Sequence, residues 1–452
     1  MEETQNKPTR VAPKRVATAV LNSLKGGVVP RVGLEYVTVG RSREIEALLR
    51  DTEIIAEGGA AFRFLTGAYG SGKSFLLQTI RNHVMEKGFV VLDCDLSPER
   101  RFSGTKGQGL ATYKELIRNM ATRTRPEGGA LPLVLERWLS ALQSETAAET
   151  GLSPGEADFE AALNRKIFAV VNAMEDMVNG FDFGQALNQY RRAVVNGDDD
   201  KKSAVLRWFR GEYSTKSEAR QALGIHLTVN DENWYDFLKL FSAFLVRAGY
   251  KGMLLMVDEL VNLYRIPHKV TRQYNYEKIL MMYNDTLQGK AKHIGVLMCA
   301  TPQCLEDSDK GIFSYDALRS RLTQGRFSLP GSPDLLAPII RLEPLQYEEL
   351  MVLCEKLCAL HEGLYGYEAE IAPEAYVAFL KAEFERVGAA THITPREIIR
   401  DFIELLNILW QNPGERLENI LAKGGFAFAA PEVEDALGAE RAMQAEFAAF
   451  EV

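Results

Sequence analysis

Short apolar runs alternate with longer stretches of helical periodicity along most of the chain. Apolar residues fill the runs 62–66, 89–94, 253–257, 294–300 and 339–342, and each run predicts a buried β-strand. Helical segments separate four of these strands from the next one. Such alternation favours a parallel sheet with helices on both faces, so we predict an α/β fold.

The connection between the second and third predicted strands is far longer than the others. Residues 105–248 are rich in Ala, Leu, Glu and Arg and show helical periodicity without a convincing strand. After residue 345 the pattern is helical again, until an Ala- and Glu-rich tail. We therefore predict a large helical insertion in the α/β core and a helical C-terminal lid.

A different pattern precedes the first of these strands. The spacing predicts a helix from Pro13 to Leu24, which Gly26 and Gly27 end. The stretch VTVGRSREIEALLRDTEIIAEG then predicts a short strand, a turn at Gly40 and a helix. Together the patterns predict a basic N-terminal arm (1–38), a core (39–345) containing the insertion, a lid (346–425) and an acidic tail (426–452).

Composition and charge narrow the class of protein. The 452 residues are 46% hydrophobic and 25% charged, which is typical of a globular protein and excludes a disordered or fibrous chain. The net charge of −8 argues against a generally basic nucleic-acid coat, so any DNA contact needs a local patch. The charge is uneven: the first 31 residues carry +4, and the residues from Pro431 onward carry −5.

The chain lacks the sequence signals of membrane insertion and of secretion. No run approaches the roughly 18 consecutive apolar residues that span a bilayer, and the polar N-terminus differs from a secretory signal. We therefore expect a cytoplasmic protein without membrane contact. Five scattered cysteines do not suggest a disulfide framework. Cys354, Cys358 and His361 share one helical face, which we interpret as the buried side of an amphipathic helix rather than as a metal site.

The strongest chemical signal is a phosphate-binding loop directly after the first strand of the predicted sheet. It reads GAYGSGKS and consists of Gly67, Ala68, Tyr69, Gly70, Ser71, Gly72, Lys73 and Ser74. Its glycines permit a tight loop whose N–H groups converge on a phosphate, helped by the N-terminus of the following helix. We expect Lys73 to bridge the β- and γ-phosphates and Ser74 to ligate Mg²⁺.

A second signal is an apolar strand that ends in two acids. The stretch MLLMVDE ends in Asp258 and Glu259, and Asp258 lies 185 residues after Lys73. We predict that Asp258 helps to hold Mg²⁺ and that Glu259 acts as the base that polarises the attacking water. A strand followed by an acidic helix cap would look the same, but the phosphate loop favours the catalytic interpretation.

Polar residues also follow the fourth strand of the predicted sheet. In P-loop ATPases with an additional central strand, a polar residue at the place of Thr301 reads the γ-phosphate; the alternative is a cap for the turn before Pro302. The next helical segment carries Arg319, Arg321 and Arg326. We predict that Arg321, or else Arg319, reaches the ATP of a neighbouring subunit and stabilises charge in the transition state. A solvated helix face is the alternative.

The lid carries one further candidate. In the stretch ITPRE, Thr394 is a predicted N-cap and Pro395 occupies the first helical position. Arg396 then lies in the first turn of a helix that could lean over the nucleotide. We predict that Arg396 faces the phosphates and couples the nucleotide state to the lid, although a capped helix start needs no function.

Taken in order, these segments resemble AAA+-type ATPases of the additional-strand P-loop class, close to the origin-recognition and STAND branches. The resemblance covers about residues 30–410 and includes VGRSREIEALL, the phosphate loop, the acidic pair and PIIRLEPLQYEEL before the lid. It implies that Gly40, Arg41 and Phe75 join the nucleotide site, with ATP and Mg²⁺ as cofactors.

A narrower resemblance rests on four stretches of the chain. AVLNSLKGGVVP, TGAYGSGKSF, LRWFRGEY and ITPRE resemble the ATP-binding proteins of bacterial BREX phage-defence systems, of the BrxC and BrxD type. The resemblance implies antiviral defence beside co-encoded proteins such as a helicase, and action on double-stranded DNA. We therefore expect an ATP-hydrolysing, homo-oligomeric, DNA-associated switch or motor. The alternatives are a STAND-like scaffold that turns over slowly and binds protein partners through the insertion, and a small-molecule kinase.

Overall fold

The structure is a computed structural model that describes residues 12–175, 177–323, 325, 333–387 and 394–422. The acidic tail, residues 1–11 of the basic arm, Arg326 and Ile393 lie outside the described residues. The described residues form two compact units. The phosphate-loop unit contains residues 12–42, 67–79 and the described part of 341–422, and the sheet unit contains 43–66 and the described part of 80–340.

Five strands form one all-parallel sheet, in agreement with the predicted α/β fold. The order across the sheet is β2-β3-β4-β1-β5. Four strands are long apolar runs because both faces of such a sheet are covered; every residue of β4 is buried. All five strands of the predicted sheet are confirmed, and their bounds are β1 (Ala60–Thr66), β2 (Val90–Asp95), β3 (Met253–Asp258), β4 (Ile294–Ala300) and β5 (Ile339–Arg341).

The register of the sheet brings several strand ends to one edge. Thr66 of β1 pairs with Ala300 of β4, and Val257 of β3 pairs with Met298 of β4. Strand β4 therefore lies between the strand that precedes the phosphate loop and the strand that ends in Asp258. This is the central position that the resemblance implies for the additional strand.

Helices account for most of the remaining described residues. Those before and within the insertion are α1 (Lys14–Lys25), α2 (Ser42–Ala56), α3 (Lys73–Glu86), α4 (Gln108–Arg118), α5 (Leu131–Thr150), α6 (Ala157–Glu175), α7 (Gly180–Asn196), α8 (Asp199–Phe209), α9 (Lys216–Leu223) and α10 (Trp234–Arg247). Those after it are α11 (Val261–Tyr264), α12 (Lys269–Leu287), α13 (Pro302–Glu306), α14 (Asp316–Leu322), α15 (Tyr347–Tyr365), α16 (Pro373–Val387), α17 (Pro395–Gln411) and α18 (Leu417–Ala422). Helices α4 to α10 confirm the helical insertion.

Aromatic side chains form the core of the insertion. The ring of Phe183 in α7 lies 5.0 Å from the ring of Phe209 in α8 and 5.1 Å from that of Phe241 in α10. Trp208 lies 5.4 Å from Phe237. All five side chains are fully buried, so helices from distant parts of the insertion share one core.

Helix α1 is part of the core of the phosphate-loop unit. Its buried residues are Ala17, Val20, Leu21 and Leu24, which lie on one helical face at spacings of three and four. They share a buried cluster with apolar residues of α15 and α17. Burial of a leucine or valine side chain contributes about 1.5–3 kcal/mol. This helix of the predicted arm is therefore fixed by packing.

The prediction of a short strand at residues 37–39 is wrong. These residues follow a 3₁₀ turn over Leu34–Tyr36, and the N–H groups of Val37 and Thr38 donate to the Leu34 carbonyl at 3.0 and 2.8 Å. The apolar alternation of Val37 and Val39 is used for packing against the helices of the phosphate-loop unit instead.

None of the described helices combines the length and the apolar character that a membrane-spanning segment needs.

Candidate nucleotide site

The phosphate loop connects β1 to α3. Strand β1 ends at Thr66 and α3 begins at Lys73, so the loop opens a helix as the motif requires. Gly70 and Gly72 have φ of +74° and +91°, a region that L side chains rarely adopt. A Cβ atom on Gly67 would lie 2.5 Å from the Ser71 hydroxyl. The backbone path therefore favours glycine at positions 70 and 72, and the Ser71 side chain leaves little room for a Cβ atom at position 67.

Two side chains of the loop indicate that it binds an anion. The Lys73 Nζ donates to the carbonyls of Gly67 and Ala68, at 2.8 Å each, which keeps its charge over the loop. The Ser71 Oγ is buried and has no hydrogen-bond partner among the described residues. A buried hydroxyl of this kind is costly unless a ligand or water satisfies it. A phosphate oxygen would satisfy it, so the loop fits the ligand that the motif predicts.

Gly40 and Arg41 lie beside the loop within the same unit. The Arg41 Nη2 donates to the Glu343 carbonyl at 2.6 Å and to the Ser71 carbonyl at 3.4 Å. Both residues have positive φ, and a Cβ atom on Gly40 would clash with the carboxylate of Glu349 at the start of α15. Arg41 thereby connects the segment before α2 to the phosphate loop and to the segment that leads into α15.

Arg396 lies at the phosphate loop as well. Its Nη1 donates to the Tyr69 hydroxyl at 2.7 Å, and its guanidinium lies over the Tyr69 ring, 5.3 Å from the centroid. Its Nε and Nη2 both donate to the Gly27 carbonyl. Arg396 therefore joins three segments that are far apart in the sequence.

The first turn of α17 holds Arg396 in this place. Thr394 is the N-cap and forms a capping box with Glu397, which confirms the predicted helix start. A Cβ atom on Gly70 would lie 2.7 Å from the Thr394 Cβ, so helix start and loop are in close contact. Phe75, in the first turn of α3, is half-buried against the apolar cluster of the same unit.

The acidic pair lies at the end of β3 in the sheet unit. Asp258 is the last strand residue, and its Oδ1 accepts the Glu259 N–H at 2.8 Å. Glu259 is exposed and has a φ of +59°, which is uncommon for a residue with a side chain. Backbone strain of this kind clusters at functional sites. Among the described glutamates only Glu370, with a φ of +45°, shares this feature, and Glu259 differs from it by directly following a strand of the sheet.

Thr301 directly follows β4. Its Oγ1 accepts the Cys304 N–H at 3.2 Å and is the N-cap of α13. The capping alternative is therefore confirmed. Since β4 lies between β1 and β3, the position of Thr301 at the sheet edge also suits the predicted role in reading the γ-phosphate, which stays a prediction.

The two described arginines of the next segment lie on α14. Both are exposed; Arg319 pairs with Asp316 at 2.6 Å, and the Arg321 Nη1 donates to the Ala317 carbonyl at 2.7 Å. Each guanidinium is thus bonded within its own helix. An arginine that acts on a neighbouring subunit must be exposed, and an arginine on a solvated helix face is exposed as well. Exposure therefore does not distinguish the two interpretations of Arg319 and Arg321.

Asp95 is a candidate that the sequence analysis missed. It is the last residue of β2 and pairs directly with Asp258 in the parallel register, so both side chains lie on the same face of the sheet. Partial burial first, and the charges of Asp258 and Asp93 second, raise the pKa of Asp95. The available signal was the pair of acids at the end of the second strand, in the stretch FVVLDCDL.

The residues predicted to bind Mg²⁺ are of a suitable chemical type. Mg²⁺ prefers oxygen ligands and in nucleotide sites takes most of them from phosphates and water. The Ser74 hydroxyl, exposed in the first turn of α3, and the Asp258 carboxylate are such ligands. Within the described residues, no group of three or more His, Cys, Asp or Glu side chains is arranged to hold a metal ion by itself.

Comparison with known families gives one match that spans most of the chain. Residues 12–424 match the family described as BREX system ATP-binding protein BrxC/D. A comparison with curated proteins finds no match. The matched range includes the phosphate loop, the acidic pair and Arg396. The chain therefore belongs to the BrxC/BrxD family of BREX system ATP-binding proteins.

Proposed function

We propose that this protein hydrolyses ATP with Mg²⁺, as an oligomeric, DNA-associated component of a bacterial phage-defence system. The observation that carries the proposal is the phosphate loop with its buried, unsatisfied Ser71 hydroxyl and with Arg396 held against it. A loop that only binds nucleotide needs no arginine from a distant helix. An arginine at the phosphates stabilises the charge that develops during phosphoryl transfer.

Each candidate side chain has a place in the proposed reaction. Phosphate oxygens replace the loop carbonyls as acceptors for Lys73, because charge-assisted hydrogen bonds are the stronger ones. Glu259 orients the attacking water and takes its proton. Ser74 and Asp258 would hold Mg²⁺, which would neutralise charge on the phosphates. In an oligomer, Arg321 of one subunit acts on the nucleotide of the next.

Double-stranded DNA is the proposed macromolecular partner, together with a co-encoded protein such as a helicase. The charge of α1 supports the DNA contact: Lys14, Arg15 and Lys25 are exposed on this helix, whose opposite face is packed into the core. Residues 12–34 contain no acidic residue. A packed helix whose exposed charged residues are all basic suits the phosphate backbone of DNA.

A STAND-like scaffold with slow turnover is the second candidate function. It is favoured by exposed apolar side chains on the insertion, at Phe168 in α6 and at Val178 and Phe181 near the start of α7. Exposed apolar side chains that lie together in one patch are typical of surfaces that bind other proteins. In this case ATP binding would set the conformation of the protein, and hydrolysis would be slow.

The Glu259→Gln variant tests hydrolysis against binding. Loss of the base is expected to lower the turnover of ATP by about 100-fold or more, in the range of general base catalysis, while ATP affinity is kept. The exposed Glu277 on α12 gives the matched control, Glu277→Gln, which should hydrolyse ATP at the wild-type rate. Wild-type turnover in Glu259→Gln would remove Glu259 from the mechanism. Tight binding with negligible turnover in the wild-type protein would favour the scaffold.

A salt titration tests the DNA contact. In the full-length protein, replacing Lys14 and Arg15 with glutamine should reduce the slope of log K against log salt by up to about 2, because each phosphate contact contributes roughly 0.9. The control variant replaces Lys216 and Arg220, which are exposed on α9 of the insertion. Equal slopes for the α1 variant and the wild-type protein would exclude this face of α1.

A further inference from the structure

Arg396 is held by two groups that no local sequence pattern connects to it. Both Nε, at 3.1 Å, and Nη2 donate to the backbone carbonyl of Gly27, and Nη1 donates to the Tyr69 hydroxyl at 2.7 Å. Gly27 lies just after α1, and Tyr69 lies in the phosphate loop. One guanidinium thus joins the end of α1, the phosphate loop and the first turn of α17.

Local structure fixes the Gly27 carbonyl. The Gly27 N–H donates to the Leu24 carbonyl at 3.0 Å, and the Val28 N–H donates to the Ser23 carbonyl at 2.8 Å, which closes the turn after α1. The C-terminal end of a helix also carries partial negative charge, which favours a guanidinium. Gly27 has a φ of +69°, and a Cβ atom on it would lie 3.2 Å from the Arg396 Nε. The turn therefore favours glycine, and a side chain at this position would also crowd the arginine.

The contact with Arg396 also explains why residue 69 is a tyrosine. The phosphate-loop motif leaves its position open, and its side chain is 62% exposed, so neither the motif nor burial requires a tyrosine. Its hydroxyl accepts from Arg396, and its ring faces the guanidinium. The tyrosine supplies a hydrogen-bond acceptor and a π-face at the place where the arginine meets the loop.

The arrangement leaves part of the guanidinium available to an anion. A guanidinium has five N–H bonds, and the three hydrogen bonds to Gly27 and Tyr69 use three of them. The other two have no acceptor among the described residues, and a guanidinium binds phosphate, as it binds carboxylate, through paired N–H bonds. An arginine already held in place loses little side-chain freedom when it binds phosphate.

We propose that the Gly27 carbonyl and the Tyr69 hydroxyl are positioning groups that orient Arg396 toward the terminal phosphate of ATP. The turn after α1 is then part of the nucleotide site, and the preference for ATP over ADP depends on it. This inference rests on the proposed function and deepens it. It assigns a role to the N-terminal segment that is separate from any contact of α1 with DNA.

The experiment measures dissociation constants of the full-length protein for ADP and for ATPγS with Mg²⁺ by calorimetry. The readout is the ratio of the two constants, which isolates the contribution of the terminal phosphate and does not require turnover. The variants are Arg396→Ala, Tyr69→Phe and Gly27→Ala. Gly366→Ala is the matched control, because Gly366 ends α15 in the same unit with a φ of +72°, and its added Cβ would meet no described atom within 4 Å.

The expected result is a graded loss of the preference for ATPγS. Arg396→Ala should abolish the preference, and Tyr69→Phe should reduce it about 3- to 10-fold, since it loses one hydrogen bond to a charged group. Gly27→Ala should reduce it at least as much, while Gly366→Ala, with the same backbone strain, should keep the wild-type ratio. Affinity for ADP should change little in Tyr69→Phe, because the lost contact acts on the terminal phosphate only.

Several outcomes would overturn the inference. In one, Arg396→Ala loses the preference for ATPγS, but Tyr69→Phe and Gly27→Ala both keep the wild-type ratio of the two dissociation constants. Arg396 would then act without the Gly27 carbonyl and the Tyr69 hydroxyl. Another is a wild-type protein that binds both nucleotides equally well, which would remove Arg396 from the terminal phosphate. Failure of the proposed ATPase function is recognised separately, by absent turnover in a wild-type protein that still prefers ATPγS.

Discussion

The two units of the protein bring their candidate residues together in different ways. In the sheet unit, parallel neighbouring strands carry Asp95, Asp258 and Thr301 to one edge of the sheet. In the phosphate-loop unit, hydrogen bonds join the loop to residues hundreds of positions away, such as Arg396, which is 327 residues from Tyr69. The first arrangement follows from where each strand ends. The second depends on how helices pack.

The two units should therefore respond differently to amino-acid substitutions. At a strand end, a side chain is placed by backbone hydrogen bonds that extend over the whole sheet, so single substitutions there alter chemistry more than position. Around the phosphate loop, the position of Arg396 depends on the packing of α1, α15 and α17. Substitutions in the core of that unit should therefore disturb the site indirectly.

The largest effect is expected from Leu21→Ala in α1. Leu21 is buried in the cluster that α1 shares with α15 and α17, and removing it leaves a cavity. The loss of stability should be about 2–5 kcal/mol. Hydrogen exchange should become faster in α15 and α17 but not in β3. The control is Thr18→Ala, on the exposed face of α1. Unchanged exchange in α15 and α17 would contradict the structural role of α1.

A smaller effect is expected from the buried His361 of α15. Its Nδ1 lies 2.9 Å from the Tyr367 hydroxyl and its Nε2 lies 3.3 Å from the Asn407 Oδ1 on α17. Burial lowers the pKa of His361 from its ordinary value of 6.5, so the neutral form is favoured in the folded protein. The unfolded chain therefore binds more protons as the pH falls below 6.5, and folding stability decreases through this range.

Urea unfolding of the wild-type protein and of His361→Gln between pH 5 and pH 7.5 checks this expectation. The wild-type free energy of unfolding should fall more steeply toward low pH than that of the variant, which is less stable overall but lacks the titrating group. Parallel curves would mean that His361 does not stay neutral in the packed helices of the phosphate-loop unit.

The smallest effect is expected in the sheet unit, from Asp95→Asn. Because partial burial and the charges of Asp258 and Asp93 raise the pKa of Asp95, its charged form is disfavoured in the folded protein. The wild-type protein should lose stability as the pH rises from the ordinary pKa of an aspartate through the raised value. The variant removes this charge and should melt slightly higher at pH 7. A lower melting temperature would show that the Asp95 carboxylate stabilises the sheet edge.

Local patterns predicted much of this protein. Apolar runs predicted all five strands of the sheet, because strands whose two faces are covered by helices are predominantly apolar. The phosphate loop was recognisable because its glycines are fixed by backbone conformation, and the start of α17 because Thr394 and Glu397 cap each other within one turn. The strand predicted at residues 37–39 failed because two valines fit a packed turn as well as a strand.

The sequence by itself thus determined the elements and the chemistry that each could carry. Only the tertiary structure decided which of them meet: Asp95 beside Asp258, Arg41 at the Ser71 carbonyl, and Arg396 between Gly27 and Tyr69. The physical reason is the range of the interactions. Hydrogen bonds and steric limits between near neighbours depend only on short stretches of sequence. A contact between residues hundreds of positions apart depends instead on how the apolar faces of whole helices and strands pack.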